Sequence, residues 1–274
     1  MYSTEEGKFS ARSSVSPTLN ASVKYVRVVG INESMWYFEA MRGTFDMCYK
    51  RGYLDPSCRC EYLPLSEPTS RADVVVFRGS RLETPAAQAV LKDPSRTERQ
   101  TWVFFENEPP YRVSRKVNLS KYNGVFNLTS TFSPESDIYR SDMRRIRKCS
   151  IDPELYEQFK DKDYTHKKRN DTVVAWFVSR CRTQSKRELY VRLLRRHIPV
   201  DVYGRCGTLT CGSRFEDTNG TETCHKILLH DHNSYKFYLS FENSFCKYYV
   251  TEKLWALLEL DVVPVVMGLA NYSA

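Results

Sequence analysis

Long apolar runs are missing from this sequence. Its best apolar stretch, Val262–Met267, falls far short of the ~18 residues that a membrane-crossing helix requires. Met1–Ser16 is polar and Ser-rich, without the apolar core of a signal peptide. Glycine is scarce, 11 residues with no G-X-Y period, which excludes a collagen-like chain. No paired Cys-x-x-Cys knuckle is present, so the usual ground for structural zinc is absent. None of the nucleic-acid motif signatures occurs, and no internal repeat is evident. The chain is therefore not read as a nucleic-acid binder.

What remains is a chain able to build cores. Of 274 residues, 41% are hydrophobic and 13% aromatic, which rules out wholesale disorder. The length favours two domains of ordinary size. Net charge is +8, concentrated in Arg140–Lys148 and Asp161–Arg169. These runs read either as solvated surface or as an attractor for an anionic partner such as a phosphorylated donor. Nine cysteines without zinc spacing point to disulfides in an oxidising compartment, with one thiol left over. Sequons at Asn20, Asn32, Asn118, Asn127, Asn170, Asn219 and Asn271 agree with a secretory-pathway protein.

Strand-like and helix-like stretches alternate, the pattern of an α/β fold. Strands are expected at Val23–Val29, Ala72–Phe77 and Thr101–Phe105, with helices around Ser34–Met41 and Pro85–Leu91. A charged stretch from Tyr139 to Asp171 is the linker candidate, giving domains at 1–150 and 172–274 with 151–171 between them. The second half reads β-α-β-α-β-α-β, with strands at Val173–Val178, Val200–Tyr203, Phe237–Phe241 and Val262–Met267. Its helices are expected over Ser185–Arg196, near Glu222–Leu229 and from Thr251 to Leu260. A parallel sheet is the natural assembly.

In such sheets ligands bind beyond the carboxyl ends of the strands. Ser185 and Glu188 have capping-box spacing, which makes Ser185 the expected N-cap and puts Arg187 in the first turn. An arginine beside free helix N–H groups suits a phosphate. Thr251 can cap the next helix, placing Glu252 and Lys253 in its first turn. Lys253 offers charge to a diphosphate and Glu252 a carboxylate to sugar hydroxyls. Asp201-Val202-Tyr203-Gly204 reads equally as structure or as site. Asp161-Lys162-Asp163 matches a bare Asp-x-Asp but lies in the charged linker, and His230-Asp231-His232 reads as solvent-facing, so no metal is expected.

The runs Phe241-Glu242-Asn243-Ser244, Tyr249-Val250-Thr251-Glu252-Lys253-Leu254-Trp255 and Val263-Pro264-Val265-Val266 resemble the signature of the α1,3-fucosyltransferase family (glycosyltransferase family 10). Val174-Ala175-Trp176 and Val200–Gly204 fit the same family in order and spacing, and the likeness extends from about Ala72 to Gly268. Cys206, Cys211 and Cys224 resemble the spacing of the invertebrate and plant type that fucosylates the N-glycan core.

The resemblance implies a GT-B-like fold of two Rossmann-like domains facing a cleft, the second cut short at its C-terminal end. It implies inverting transfer of L-fucose from GDP-β-L-fucose to a GlcNAc 3-hydroxyl of a glycoprotein N-glycan, without a cofactor or divalent metal. Asn243, Tyr249, Glu252 and Lys253 inherit donor-site roles, and Arg187 the diphosphate role, with Lys186 as a one-residue alternative. Glu106-Asn107-Glu108-Pro109-Pro110 resembles the family's Glu-Ser-Pro loop, which makes Glu108 the implied base and Glu106 the fallback. Pro109 replaces the usual serine, and Phe132-Ser133-Pro134-Glu135 stands where the family often has Tyr-Arg-Arg. The family setting is the Golgi lumen, reached through a type II membrane anchor outside this chain. Rival readings are a polypeptide O-fucosyltransferase relative and a non-catalytic donor-binding protein.

Overall fold

The computed structural model describes residues 24–31, 58–63, 66–139, 157, 160–161, 163–166, 168–212, 224–229, 234–257 and 260–272. Two parallel sheets organise them. The first contains β1 (Lys24–Ile31), β2 (Cys58–Tyr62), β3 (Val74–Arg78), β4 (Thr101–Glu106), β5 (Leu128–Thr131) and β6 (Ile138–Tyr139) in the order β2-β1-β3-β4-β5-β6. Helix α1 (Pro85–Leu91) connects β3 to β4, and α2 (Pro110–Ser114) follows β4.

The second sheet contains β7 (Val174–Phe177), β8 (Val200–Tyr203), β9 (Phe237–Phe241) and β10 (Val263–Met267) in the order β10-β9-β7-β8. Its helices are α3 (Arg187–Leu194), α4 (Cys224–Leu229) and α5 (Glu252–Trp255). Every pairing within both sheets is parallel among the described residues. The expected α/β class and the four strands of the second half are present.

Burial explains the continuous apolar runs. On β3, Val75 and Phe77 enter one core with Trp102, while Val76 enters another with Val103 and Phe105. On β7, Val174 and Trp176 pack with Leu239 and Phe241, whereas Ala175 packs with Tyr235 and Tyr238. Strands covered on both faces need no polar alternation.

The second sheet has its switch point at β7, which is flanked by β8 on one side and β9 on the other. The crevice opened there lies at the strands' carboxyl ends. It is where β4, β7 and β9 deliver their following loops.

Three expectations change. The first sheet has three strands, β2, β5 and β6, that the apolar pattern does not announce. The expected helix around Ser34–Met41, the basic run Arg140–Lys148 and His230-Asp231-His232 lie outside the described residues. The charged stretch before Val173 is fastened to the second sheet at its end. Lys168 forms a bridge with Ser234, and the Arg169 amide donates to the Ser234 carbonyl at 3.0 Å.

Candidate active site

The segment Ser185–Arg187 starts helix α3 in a way that capping-box spacing does not foresee. Lys186 is the N-cap, in the left-handed region at φ 52°, without a side-chain cap. Ser185 is not the cap. Its hydroxyl donates to the Glu242 carbonyl at 2.7 Å, and its amide donates to the Asn243 carbonyl at 3.3 Å. Glu188 accepts instead from Thr183, from its hydroxyl at 2.7 Å and its amide at 3.3 Å. The Arg187 guanidinium donates to the Phe241 carbonyl. Three consecutive carbonyls at the end of β9 are thus taken by the start of α3. Carbonyls past a strand end need partners when buried, and this segment supplies them.

The same geometry separates Arg187 from Lys186. Arg187 is 3% exposed and sits 5.7 Å from the Trp176 ring centroid, whereas Lys186 is exposed and away from the cleft. Burial lowers the pKa of Arg187, and the Glu242 carboxylate opposes that shift.

At α5 the expected cap is present: the Thr251 hydroxyl accepts from the Lys253 amide. The Lys253 ammonium donates to Glu242 Oε2 at 3.0 Å and to Thr251 Oγ1 at 2.6 Å. Tyr249 is buried, and burial first, then the Glu108 and Glu242 charges, pushes its phenol above the ordinary range.

From the first sheet, β4 ends in Glu106, which is buried rather than part of a solvated loop. Its carboxylate accepts from the amides of Ser80 at 2.7 Å and of Asn107 and Glu108 at 3.0 Å. Glu106 therefore shapes the loop, and it does not line the cleft with Glu108. Glu108 projects into that cleft. Arg112 Nη1 lies 2.9 Å from its Oε1, and Arg180 Nη2, from the other sheet, lies 3.7 Å away. Burial raises its pKa; Arg180 opposes the shift and Glu106 adds to it. Pro109 is fully buried and caps α2, a packing role.

A cleft of about 300 Å³ joins the two halves. Glu108 lines it from one side, with Arg187, Asn243, Tyr249, Glu252 and Lys253 on the other. All six side chains singled out in the sequence meet there. Three polar atoms in this group are buried without a hydrogen-bond partner: Glu108 Oε2, Arg187 Nε and Asn243 Oδ1. Buried polar atoms are rarely left unpaired, and a cluster of them in a cleft is suited to a polar ligand. Cationic donors on one wall and a proton acceptor on the other can hold a polyanion while a hydroxyl is deprotonated beside it.

The other candidates behave differently. Asp163 is exposed and accepts from the Thr165 amide and hydroxyl, both at 2.7 Å. Among the described residues no group of three or more His, Cys, Asp or Glu side chains is arranged for a metal ion. Asp201 accepts from the Tyr235 hydroxyl at 2.7 Å and from Arg169 at 3.0 Å, away from the cleft.

Sequence reasoning missed two features. Glu242 is 1% exposed and joins Thr251 to Lys253, yet a buried glutamate has no marker distinguishing it from a surface one. The disulfides Cys181–Cys206 and Cys211–Cys224 include Cys181, which stood apart from the noted cluster. Cys246 is a free thiol.

Comparison with known proteins identifies the lineage. The model "Fucosyltransferase, N-terminal" matches residues 33–142, and "Glycosyltransferase family 10 (fucosyltransferase) C-term" matches residues 166–274. Alpha-(1,3)-fucosyltransferase C of Drosophila melanogaster is 36% identical over 215 residues, covering 73% of this chain and 47% of that protein. Glycoprotein 3-alpha-L-fucosyltransferase A of the same organism is 32% identical over 215 residues, covering 78% of this chain and 38% of that protein. The chain thus spans half or less of the length of these relatives. A crystal structure of an alpha1,3-fucosyltransferase with GDP-fucose superimposes with a TM-score of 0.50 at 16% identity, covering 93% of this chain and 72% of that one. That likeness establishes the shared fold. With family models matching both halves, the chain belongs to glycosyltransferase family 10, the fucosyltransferases.

Proposed function

We propose that the cleft transfers L-fucose from GDP-β-L-fucose, with inversion, to the 3-hydroxyl of a GlcNAc residue on a glycoprotein N-glycan. One observation carries the reading: the partly desolvated carboxylate of Glu108 shares a cleft with the cations Arg187 and Lys253. Family membership supports it, as does the GDP-fucose complex of the superimposed structure.

In this mechanism Glu108 accepts the proton of the acceptor hydroxyl. The freed oxygen pair bonds to C1 of fucose while the C1–O bond to the β-phosphate breaks on the opposite side. GDP leaves with that electron pair. Lys253 and Arg187 neutralise the charge it gains, where single preorganised donors are worth ~3–4 kcal/mol. Asn243, Tyr249 and Glu252 hold the donor in line. No divalent metal takes part, so excess EDTA should leave turnover unchanged. Paired cysteines and seven sequons support a site of action in the Golgi lumen. The family's type II anchor would tether the full-length protein there.

GDP-fucose consumption against N-glycan, N-acetyllactosamine and folded-protein acceptors tests the reading, with Glu108→Gln as control. Turnover on N-glycans that Glu108→Gln abolishes supports it. Turnover on protein acceptors alone assigns polypeptide O-fucosylation, and donor binding without turnover assigns a binding protein. Equal turnover in wild type and variant removes Glu108 as the base.

A further inference from the structure

Glu242 is a buried carboxylate that the proposed chemistry does not use. It sits at the end of β9, where its amide donates to the Met267 carbonyl at 2.9 Å and its carbonyl accepts from Ser185. Behind it, Gly268 follows the last residue of β10. A Cβ there would come 2.3 Å from Tyr272 Oη and 3.7 Å from Glu242 Cγ, so glycine is what lets Tyr272 close over the carboxylate. In front of it stands Lys253, 14% exposed, between the carboxylate and the cleft.

A charge this deep is costly unless its lone pairs are used. Oε1 accepts from the Thr251 amide and hydroxyl, both at 2.8 Å, and Oε2 accepts from Lys253 Nζ at 3.0 Å. Capping α5 does not require this carboxylate, because Thr251 already caps it. Oε2 is the oxygen whose contact is with Lys253.

An ammonium has three donors. Lys253 directs one to Glu242 Oε2 and one to Thr251 Oγ1, which leaves the third for the cleft, on whose wall Glu252 Oε1 lies 4.0 Å from the ammonium. A lysine on a flexible four-carbon stem loses rotamer entropy when ordered. Two fixed acceptors impose that order before any ligand arrives.

We propose that Glu242 is a positioning residue that fixes the Lys253 ammonium with one N–H aimed at the donor diphosphate. This rests on the GDP-fucose reading of the same cleft. Binding of GDP and of guanosine to the full chain, measured by calorimetry on wild type, Glu242→Gln, Lys253→Met and the double variant, tests it. Glutamine keeps an oxygen for Thr251 and removes the charge facing Lys253. Glu242→Gln should weaken GDP at least about tenfold while guanosine changes less than about threefold. In the Lys253→Met background the same substitution should change GDP affinity less than about threefold.

Equal weakening in both backgrounds, or weakening of guanosine alongside GDP, assigns Glu242 to the fold and overturns the proposal; so does an unchanged GDP affinity. If Glu242→Gln fails to fold, the double variant decides: folding restored by Lys253→Met shows the coupling, and failure of both refutes it. Wild type that binds no GDP removes the proposed function itself, a result seen before any substitution is made.

Discussion

Phe132 and Tyr249 meet edge to face with ring centroids 5.0 Å apart, joining the loop after β5 to the loop before α5 across the cleft. Edge-to-face pairs are worth ~0.5–1.5 kcal/mol beyond burial, and ~1.4 kcal/mol is a tenfold change in an equilibrium constant. Phe132→Ala should therefore raise the Kd for GDP-fucose by up to about tenfold through loss of Tyr249 ordering. Calorimetry on the purified variant measures it.

Glu108 combines a raised pKa with two nearby arginines. A base works only when deprotonated, so kcat/KM should fall as pH drops through the raised pKa, above the ordinary carboxylate range. Arg180 favours the charged form, and Arg180→Met should move this acid limb to higher pH. Glu108→Gln should lower kcat by ~10²–10⁴-fold with GDP affinity intact. The linkage sign is also fixed. A carboxyl whose pKa rises on folding contributes stability at low pH and loses it as pH climbs, so Glu108→Gln should melt no lower than wild type at pH 7. A pH–rate series and thermal melts check both.

How far the sequence could be read varies with burial. β8 and β9 carry the expected bounds and β7 and β10 come within a residue of them. β7 and β9 are continuous apolar runs because they are buried on both faces, whereas β8 buries alternate residues and β10 leaves Val263 and Val265 exposed. β5, Leu-Thr-Ser-Thr, has no such run; its pairing with β4 makes it a strand. Arg187 and Lys186 were indistinguishable by spacing, and only the left-handed turn at Lys186 sends one inward and the other to solvent. Nothing in the motif around Glu242 marks its role, since its burial depends on β10 and Tyr272 closing over it.

The Cys181–Cys206 bridge follows from register. Phe177 and Tyr203 are partners at the ends of adjacent strands, so cysteines a few residues beyond each arrive side by side. The bridge ties the loop carrying Arg180 to the turn after β8. Its sequence separation of 25 corresponds to about 3.5 kcal/mol in the chain-entropy account of cross-links. Replacing both cysteines by serine should lower unfolding free energy by about that amount in urea titrations. Dithiothreitol should destabilise wild type and have a smaller effect on the double variant, which retains Cys211–Cys224.

The network around Tyr235 should separate stability from donor binding. Tyr235 is 1% exposed, and its hydroxyl donates to Asp201 at 2.7 Å while accepting from Arg169 at 2.9 Å. Burial and Asp201 push this phenol above its ordinary range, so it remains a proton donor at neutral pH. Tyr235→Phe removes one acceptor from Arg169, one donor from Asp201 and the 2.7 Å partner of the Tyr203 hydroxyl, but Arg169 and Asp201 still pair with each other at 3.0 Å. The expected cost is ~1 kcal/mol, near the ordinary net worth of a hydrogen bond. Arg169→Met should cost more, because Asp171 and Asp201 both lose their ion pair and Lys168–Asp171 loses an anchor to the second sheet. Neither substituted side chain lines the cleft, so GDP affinity should stay within about twofold in both. If Tyr235→Phe weakened GDP by more than it lowered stability, Asp201 and Tyr203 would have to be counted with the binding site after all.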